Sequence, residues 1–580
     1  MNTEKDGRIT VEELLFYIYF MLMLITKGIG LVDGPIYRGL IYLASLVALA
    51  KLAMGSYNRL QKVMIAMLLL LSGIILVHAG NQGVMICVLW ALGMKNVPLK
   101  RAFTVGGAVW CATFLFQLVR GLSGLGTPDY VIHQKLGFDH VIRWGMGYSH
   151  PNVFLVAYVA LVMYLFYALL AESGSNTGEG CEHGLQAGDG QSRPGNHKTG
   201  GLRRMLIVSG VFAAGAFYVF VYTLSVTGML MYICFMVFFL YFEGNRMAGR
   251  RRSILEQGLL YCIFPAAAGV SIIGPVLLKG KAFDLINRLL TTRPALTKHF
   301  LENYGVSLLG EDLSKLDFHY TLDCSYANLL MQGGLLIFLV MLAAYAGTIH
   351  DALHQKPSAE NSVRLAILFA VVISAMSEPF AFNTSYKNVS LLLVGDAFFR
   401  WTDSLGGTVN AISPTAGLAA GWPARLQKKL EAMGRFEVKL PGIAGRLLSE
   451  TGDQAAGFSG GLTIRHLAAG LAGGVALAAI LFATAPMPRD IYAQRRNCDR
   501  VDGYPEMYLS AEAAQELAAD ENVWLMDYKD PETLMTRFTD EDIMPVERAR
   551  RSLTGLLAGF ALGCWGAALP GRKPRVTGLL

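Results

Sequence analysis

Charge is scarce in this chain: Asp, Glu, Lys and Arg make up 16% of its 580 residues, against 53% hydrophobic. A soluble domain carries roughly a quarter charged residues. That shortage, with a mean hydropathy of +0.42, excludes an ordinary soluble protein and points to a membrane one. Cysteine pairs are lacking as well. The eight cysteines form no CxxC, and Cys87, Cys111, Cys234, Cys262 and Cys564 sit in apolar runs as packing residues. Cys324 and Cys498 fall on one expected side of the membrane, which permits a disulfide without requiring one. Basic residues are nowhere pooled, so the net charge of +7 carries no nucleic-acid signature. There is no internal repeat. No cleavable leader is expected either, since the first apolar run is too long and lacks a small-residue cleavage site.

What the chain has instead is runs of about twenty apolar residues. They lie near 14–32, 38–54, 63–80, 83–94, 102–119, 152–171, 205–223, 227–243, 257–278, 327–347, 363–377 and 388–400, with two more near 465–485 and 553–569. The expected fold class is an all-α polytopic membrane protein: about 12 core transmembrane helices plus two C-terminal helices. Basic residues alternate by connection. Lys51, Arg59 and Lys62 share one, Lys95, Lys100 and Arg101 the next, Arg203 and Arg204 a third, and Arg246 with Arg250–Arg252 a fourth. The connections near 80–82 and 225–227 carry none. By the positive-inside rule the N-terminus is cytoplasmic.

The division expected is a membrane core over 1–403, a Gly- and Ala-rich cytoplasmic connector over 404–464, and a C-terminal helix pair over 465–580. The pair flanks a small extracytoplasmic α+β or α segment, 487–551. The tract Cys181-Glu182-His183 with His197 has metal-ligand residue types. It sits among Gly, Ser, Asn and Asp, the composition of a flexible linker.

The most informative stretch is the polar insert 279–326. It is flanked by long apolar runs and carries Arg288, Arg293, Lys298, His299, His319 and Asp323. Long loops on a rigid scaffold are where function concentrates. With the N-terminus inside, this insert faces outward. The runs starting at Asn152, Thr227, Tyr326 and Asn388 all begin at that face, and their N-terminal ends favour anions. Polar clusters mark each start. In GYSHPN, Pro151 suits a first helical position with Ser149 or His150 as cap, while Arg143 and His150 can also meet phosphate oxygens. TLSVTG, with Ser225, reads as a tight Ser/Thr turn. In LDCSY, Asp323 is either a helix cap or, beside the basic loop, a general base. Glu378 closes a helix where the dipole disfavours a carboxylate, which implies a partner; Lys387 is the nearest candidate in sequence. Lys27 and His78 lie near helix ends, where snorkelling is cheap.

At these motifs the chain resembles the bacterial O-antigen polymerase and O-antigen ligase family, particularly Gram-positive capsule or exopolysaccharide polymerases. GYSHPN, TLSVTG, NRLLTTR…ENYGVSLLG and LDCSYANLLMQGG occur in family order over roughly residues 60–400. The resemblance implies a GT-C-like helical fold and transfer of a glycan from an undecaprenyl-diphosphate carrier to an acceptor sugar hydroxyl. It further implies chemistry outside the membrane without metal or cofactor, and flippase and chain-length-regulator proteins as companions. Arg293 matches the loop arginine that faces the diphosphate. Asp323 matches the base, with His319 in reserve, and His150 and Asn152 match the HPN element. The turn departs from the family pattern: it reads Ser225-Val226 where Ser-Arg is usual, so a second diphosphate arginine is missing and Arg143 or Arg288 is the expected substitute.

Three alternatives stand beside this reading, one of them a structural scaffold whose C-terminal outward domain carries the function. A ligase would transfer the same glycan to another acceptor. A lipid-linked glycan flippase would instead place ionisable residues at mid-membrane and show repeat symmetry; neither is present in the sequence.

Overall fold

The computed structural model describes residues 8–31, 33–123, 130–135, 138–171, 196–289, 293–315, 322–412, 424–439, 464–484 and 540–568. Every apolar run of the sequence is a helix. In chain order these are α1 (Val11–Gly28), α2 (Pro35–Met54), α3 (Arg59–Ala79), α4 (Gln82–Gly93), α5 (Leu99–Ser123), α6 (Pro151–Ala171), α7 (Asn196–Thr223), α8 (Val226–Met247) and α9 (Ile254–Leu277). The polar insert supplies α10 (Gly280–Leu289) and α11 (Arg293–Tyr304). There follow α12 (Ser325–Asn328), α13 (Gly334–His354), α14 (Ala359–Ser374), α15 (Ser390–Ile412), α16 (Ala424–Gly434), α17 (Ile464–Ala483) and α18 (Asp540–Ala568).

Short polar residues start many of them. Asn58–Gln61 and Ser253–Glu256 form reciprocal capping boxes on α3 and α9, and Ser225 Oγ accepts from Gly228 N at 3.3 Å to cap α8.

Among the described residues, eight helices are long and apolar enough to cross a membrane: α2, α3, α5, α6, α7, α8, α9 and the stretch from α12 through α13. The chain is thus an all-α multi-pass membrane protein. Of the other expected core spans, α4 and α14 are short, and α1 and α15 carry ionisable residues. The 12 residues of α4 rise about 18 Å, against a hydrocarbon core of about 30 Å.

Burial follows composition. Helix α6 is apolar on every side and most of its residues are buried, so it is central. Helix α3 has few buried residues and turns Met67, Leu70 and Val77 outward.

The chain divides into two compact units. The larger holds residues 1–128, 146–216 and 225–451. At one end of it, several basic residues in or near the short connections are ion-paired. Lys51 bonds Glu12 (3.1 Å), Arg101 bonds Glu13 (3.3 Å), Lys95 bonds Asp403 (2.9 Å) and Arg400 bonds Asp351 (2.6 Å). Arg364 pairs with Glu360. Here too lies a contact that composition could not reveal: β1 (Arg8–Thr10) runs antiparallel to β4 (Glu437–Lys439), with Ile9 opposite Val438. The start of the connector is therefore structured, with α15 reaching Ile412 and α16 packed on α2, where a Cβ on Gly434 would come within 2.7 Å of Met54 O.

The smaller unit holds residues 129–145, 217–224 and 452–580. It contains the hairpin β2 (Tyr130–Lys135) and β3 (Phe138–Trp144), and the pair α17–α18. That pair packs through small residues. A Cβ on Gly559 would lie 2.2 Å from Gly473 O, and one on Gly563 2.2 Å from Ala469 O, so the backbones touch. Arg550, 1% exposed, joins α18 to the hairpin and the end of α7: it donates to Ile142 O (2.5 Å), Val221 O (2.8 Å) and Glu547 Oε1 (2.5 Å). The expected extracytoplasmic segment 487–551 lies largely outside the described residues; its described end, from Asp540, is continuous helix with the last apolar run. Cys498 and the Cys181 tract also lie outside them. Cys324 is buried with a free thiol.

Candidate functional site

Glu12 opens α1 at the ion-paired end and Lys27 closes it at the other, so the two ends are about 22 Å apart. At the Lys27 end the chain after α14 does not turn tightly but runs as an ordered loop, 375–389, before α15. Its polar backbone is satisfied by the helix starting next to it. Ser325 N donates to Ala375 O (2.9 Å), Ser325 Oγ donates to Glu378 O, and Ala381 N donates to Ser325 Oγ (3.1 Å). Asn388 Nδ2 donates to Ala381 O (2.5 Å) and to the Tyr345 hydroxyl (2.8 Å). These bonds are buried, where each unmet polar group costs on the order of 1–3 kcal/mol, so the loop is held in one conformation. Glu378, near its start, is held with it.

The polar insert reaches the same place by a different device. Beyond α12 the chain loosens into a π turn, Leu329–Gly333, and Gly334, at φ +85°, breaks it before α13. The segment 305–311 lies against that break. Leu335 N and Leu336 N donate to Ser307 O (3.0 Å) and Leu308 O (3.2 Å), and Glu311 N donates to Met331 O (2.9 Å). Gly310, at φ +81°, is required here, because a Cβ would come within 2.2 Å of Gln332 O. The ENYGVSLLG and MQGG motifs are thus backbone partners, and π turns of this kind are frequent at functional sites. Helix α11 is anchored separately: Asn287 Oδ1 accepts from Ala295 N at 3.0 Å, meeting one orphan donor of its first turn, while Thr297 and Phe300 are buried.

Three charged side chains converge where these pieces meet. Arg293, first residue of α11, places one guanidinium nitrogen 3.4 Å from Asp323 Oδ2 and 3.7 Å from Glu378 Oε1. Glu378 also accepts from the Thr227 hydroxyl at the start of α8. Arg293 and Glu378 are 10% and 8% exposed, Asp323 35%. The two carboxylates therefore differ: Glu378 is enclosed, Asp323 opens to solvent. Burial raises the Glu378 pKa, a rise opposed by Arg293, the Thr227 hydroxyl and Lys387 and reinforced by Asp323. Burial pushes the Lys387 ammonium down to about 8; Glu378 opposes that shift and Lys27 adds to it. A cation shared by an enclosed and an accessible carboxylate can orient an anionic leaving group while the accessible oxygen takes a proton.

The sequence-derived candidates fare unequally. Arg293, Asp323 and Glu378 are brought together. The partner of Glu378 is Arg293 with Thr227 rather than Lys387, which acts on it through space. Ser225 caps α8, next to Thr227. His150 Nδ1 accepts from Asn152 N at 3.1 Å, so His150 is the cap of α6. Arg143 belongs to the smaller unit, where its Nε donates to Thr223 O at 2.8 Å. His319 and the Arg288 side chain lie outside the described residues, and Val226 is exposed on the first turn of α8. Among the described residues, no group of three His, Cys, Asp or Glu could hold a metal ion. Sequence reasoning singled out neither Thr227 as a ligand of Glu378 nor Ser325 as the pin of its loop; both are hydroxyls at helix starts, where capping is the ordinary reading.

No protein-family model matches the chain, and no curated protein or solved structure matches it either.

Proposed function

We propose that this protein is a membrane glycosyltransferase that extends a glycan using undecaprenyl-diphosphate-linked oligosaccharide repeat units, at the outer face of a bacterial cytoplasmic membrane. The observation that carries the reading is Arg293 held between enclosed Glu378 and accessible Asp323, in a segment whose motif order resembles O-antigen polymerases and ligases. Asp323 accepts the proton of the acceptor sugar hydroxyl as its oxygen bonds to the anomeric carbon of the donor. The bond from that carbon to the diphosphate breaks, and undecaprenyl diphosphate departs. Arg293 stabilises the charge gathering on the departing phosphate, where a guanidinium is suited to bidentate contact. Glu378 and Thr227 hold the guanidinium in place.

The test is to incubate the purified full chain with lipid-linked repeat units and resolve the products by size. A ladder is expected from the native protein and none from Arg293→Ala or Asp323→Asn. Native-length polymer from both variants would remove these roles, and absence of any glycan product with the native chain would remove the reading. A product carrying one transferred unit on a different acceptor would identify the ligase instead.

A further inference from the structure

Helix α16 folds back from the connector onto the membrane core. Its Gly434 lies against Met54 O, at the end of α2, at a distance that leaves no room for a Cβ. The turn that follows is fixed by backbone bonds. Arg435 N donates to Glu431 O (3.2 Å) and Phe436 N to Met433 O (3.2 Å), while Phe436 O accepts from Val11 N (2.9 Å), the first residue of α1. Strand β4 then pairs with β1. The backbone is thus held on two sides, yet the side chains of Met433 and Phe436 are 55% and 68% exposed. Lys428, Lys429, Ala432 and Arg435 are exposed with them. Positions 428, 429, 432 and 433 share one side of a helix, turned away from the Gly434 contact with α2. Of the acidic residues nearby, Glu431 accepts from Gln427 Nε2 (3.0 Å) and Glu437 stands on β4 across from Thr10.

Level, continuity and charge all choose a lipid surface as the occupant of this face. Helix α2 is long and apolar enough to cross a membrane, and α16 sits against its last residue, Met54, so the face lies where the hydrocarbon ends. Leu43, Leu46 and Leu49 are exposed along α2 and lead toward the same end. Trp401, also exposed, precedes Asp403 at this ion-paired end, and Trp is enriched at membrane–water boundaries. Three cations interleaved with an exposed Phe and Met are the composition of a helix lying in the interface. We infer that α16 and the turn after it dock on anionic phospholipid, with Met433 and Phe436 entering the acyl boundary and Lys428, Lys429 and Arg435 meeting lipid phosphates. Docking there fixes the strand pair that leads into α1. It does not depend on which reaction the protein catalyses.

The test places the full chain with Phe436→Trp in lipid nanodiscs and records the emission it adds to that of the native protein, whose own tryptophans are common to both. The discs hold phosphatidylglycerol or phosphatidylcholine, brominated either near the headgroup or near the chain ends. The added emission is expected to be blue-shifted and quenched most by phosphatidylglycerol brominated near the headgroup, less in phosphatidylcholine, and less at high salt, which screens exposed charges. Each Lys or Arg near an anionic surface contributes roughly fivefold in affinity, so adding Lys428→Gln, Lys429→Gln and Arg435→Gln is expected to weaken docking on the order of 100-fold. Quenching in phosphatidylglycerol then falls to the phosphatidylcholine level, with the melting temperature in phosphatidylcholine unchanged because the three side chains are exposed. Water-like emission that no lipid quenches would overturn the inference by showing this face clear of the bilayer. Blue-shifted emission without quenching would overturn it in favour of a protein partner or a second copy. Equal quenching by both lipids, untouched by the triple substitution, would overturn the recognition of anionic headgroups.

Discussion

Arg293 lies 3.7 Å from Glu378 and 3.4 Å from Asp323, yet the two carboxylates stand in different environments, 8% and 35% exposed. The enclosed one is set in a loop pinned by Ser325 and Asn388. The open one precedes α12 at the edge of the insert. One cation with two unequal partners is an arrangement in which structure and chemistry can be separated by mutation.

Asp323→Asn is expected to lower glycan extension about 10²- to 10⁴-fold, the range for loss of a general base, with little change in melting temperature. Glu378→Gln breaks an enclosed pair and is expected to lower stability as well as activity. Extension assays and thermal melts on the same two preparations check the contrast; equal melting losses would contradict the division of roles.

Lys387 gives a pH dependence with a definite sign. Its folded pKa, about 8, lies below the ordinary lysine value of 10.5, so between those values the unfolded chain binds more protons and stability rises with pH. The burden of the buried ammonium is full below pH 8 and fades toward pH 10.5; at about 1.4 kcal/mol per unit it reaches roughly 3 kcal/mol. The melting temperature of the native protein is expected to approach that of Lys387→Met across this window. A gap between the two that stays constant from pH 7 to 10.5 would show that the lysine is not buried as described.

Gly559→Leu is expected to separate α17 from α18, because even a Cβ there would meet Gly473 O at 2.2 Å. The complementary variant Gly470→Cys places a thiol beside native Cys564, since the Cβ position is 2.6 Å from its Sγ. Oxidation is expected to link the two helices, read as joined fragments after proteolysis between them, and the link is expected to vanish in the double variant with Gly559→Leu.

Arg550→Ala leaves Glu547 buried without its cation, and loss of one partner of such a pair costs about 3–5 kcal/mol. Trp144 Nε1 still donates to Glu547 (3.1 Å), but a single neutral donor does not replace a guanidinium. The smaller unit is expected to become protease-sensitive in this variant, and Arg550→Ala with Glu547→Ala is expected to recover part of the loss.

Helix positions were legible because residues such as those of α6 and α9 prefer lipid or protein over water wherever they are placed. The paired carboxylate and arginine were legible singly: Asp323 and Arg293 stand in motifs, and Glu378 stands where a helix dipole opposes it. Their junction was not, since nothing local in SEP or in TTRP states which of them meets the other. Lys387 looked like the partner of Glu378 because it is near in sequence, but the carboxylate is met by Arg293 from α11 and by the Thr227 hydroxyl from α8.

The amino-acid order alone determined that the chain is a helical membrane protein, where its apolar helices lie, and which connections carry basic charge. These follow from transfer free energies that each residue carries with it. Folding in three dimensions decided the rest: that Thr227, Arg293, Asp323 and Glu378 meet, that β1 pairs with a strand beyond α15, that Gly310 faces Gln332, and that the Lys387 side chain is largely buried. Such contacts depend on which surfaces fit and which polar groups are left to satisfy, and that is set by packing between segments far apart in the chain.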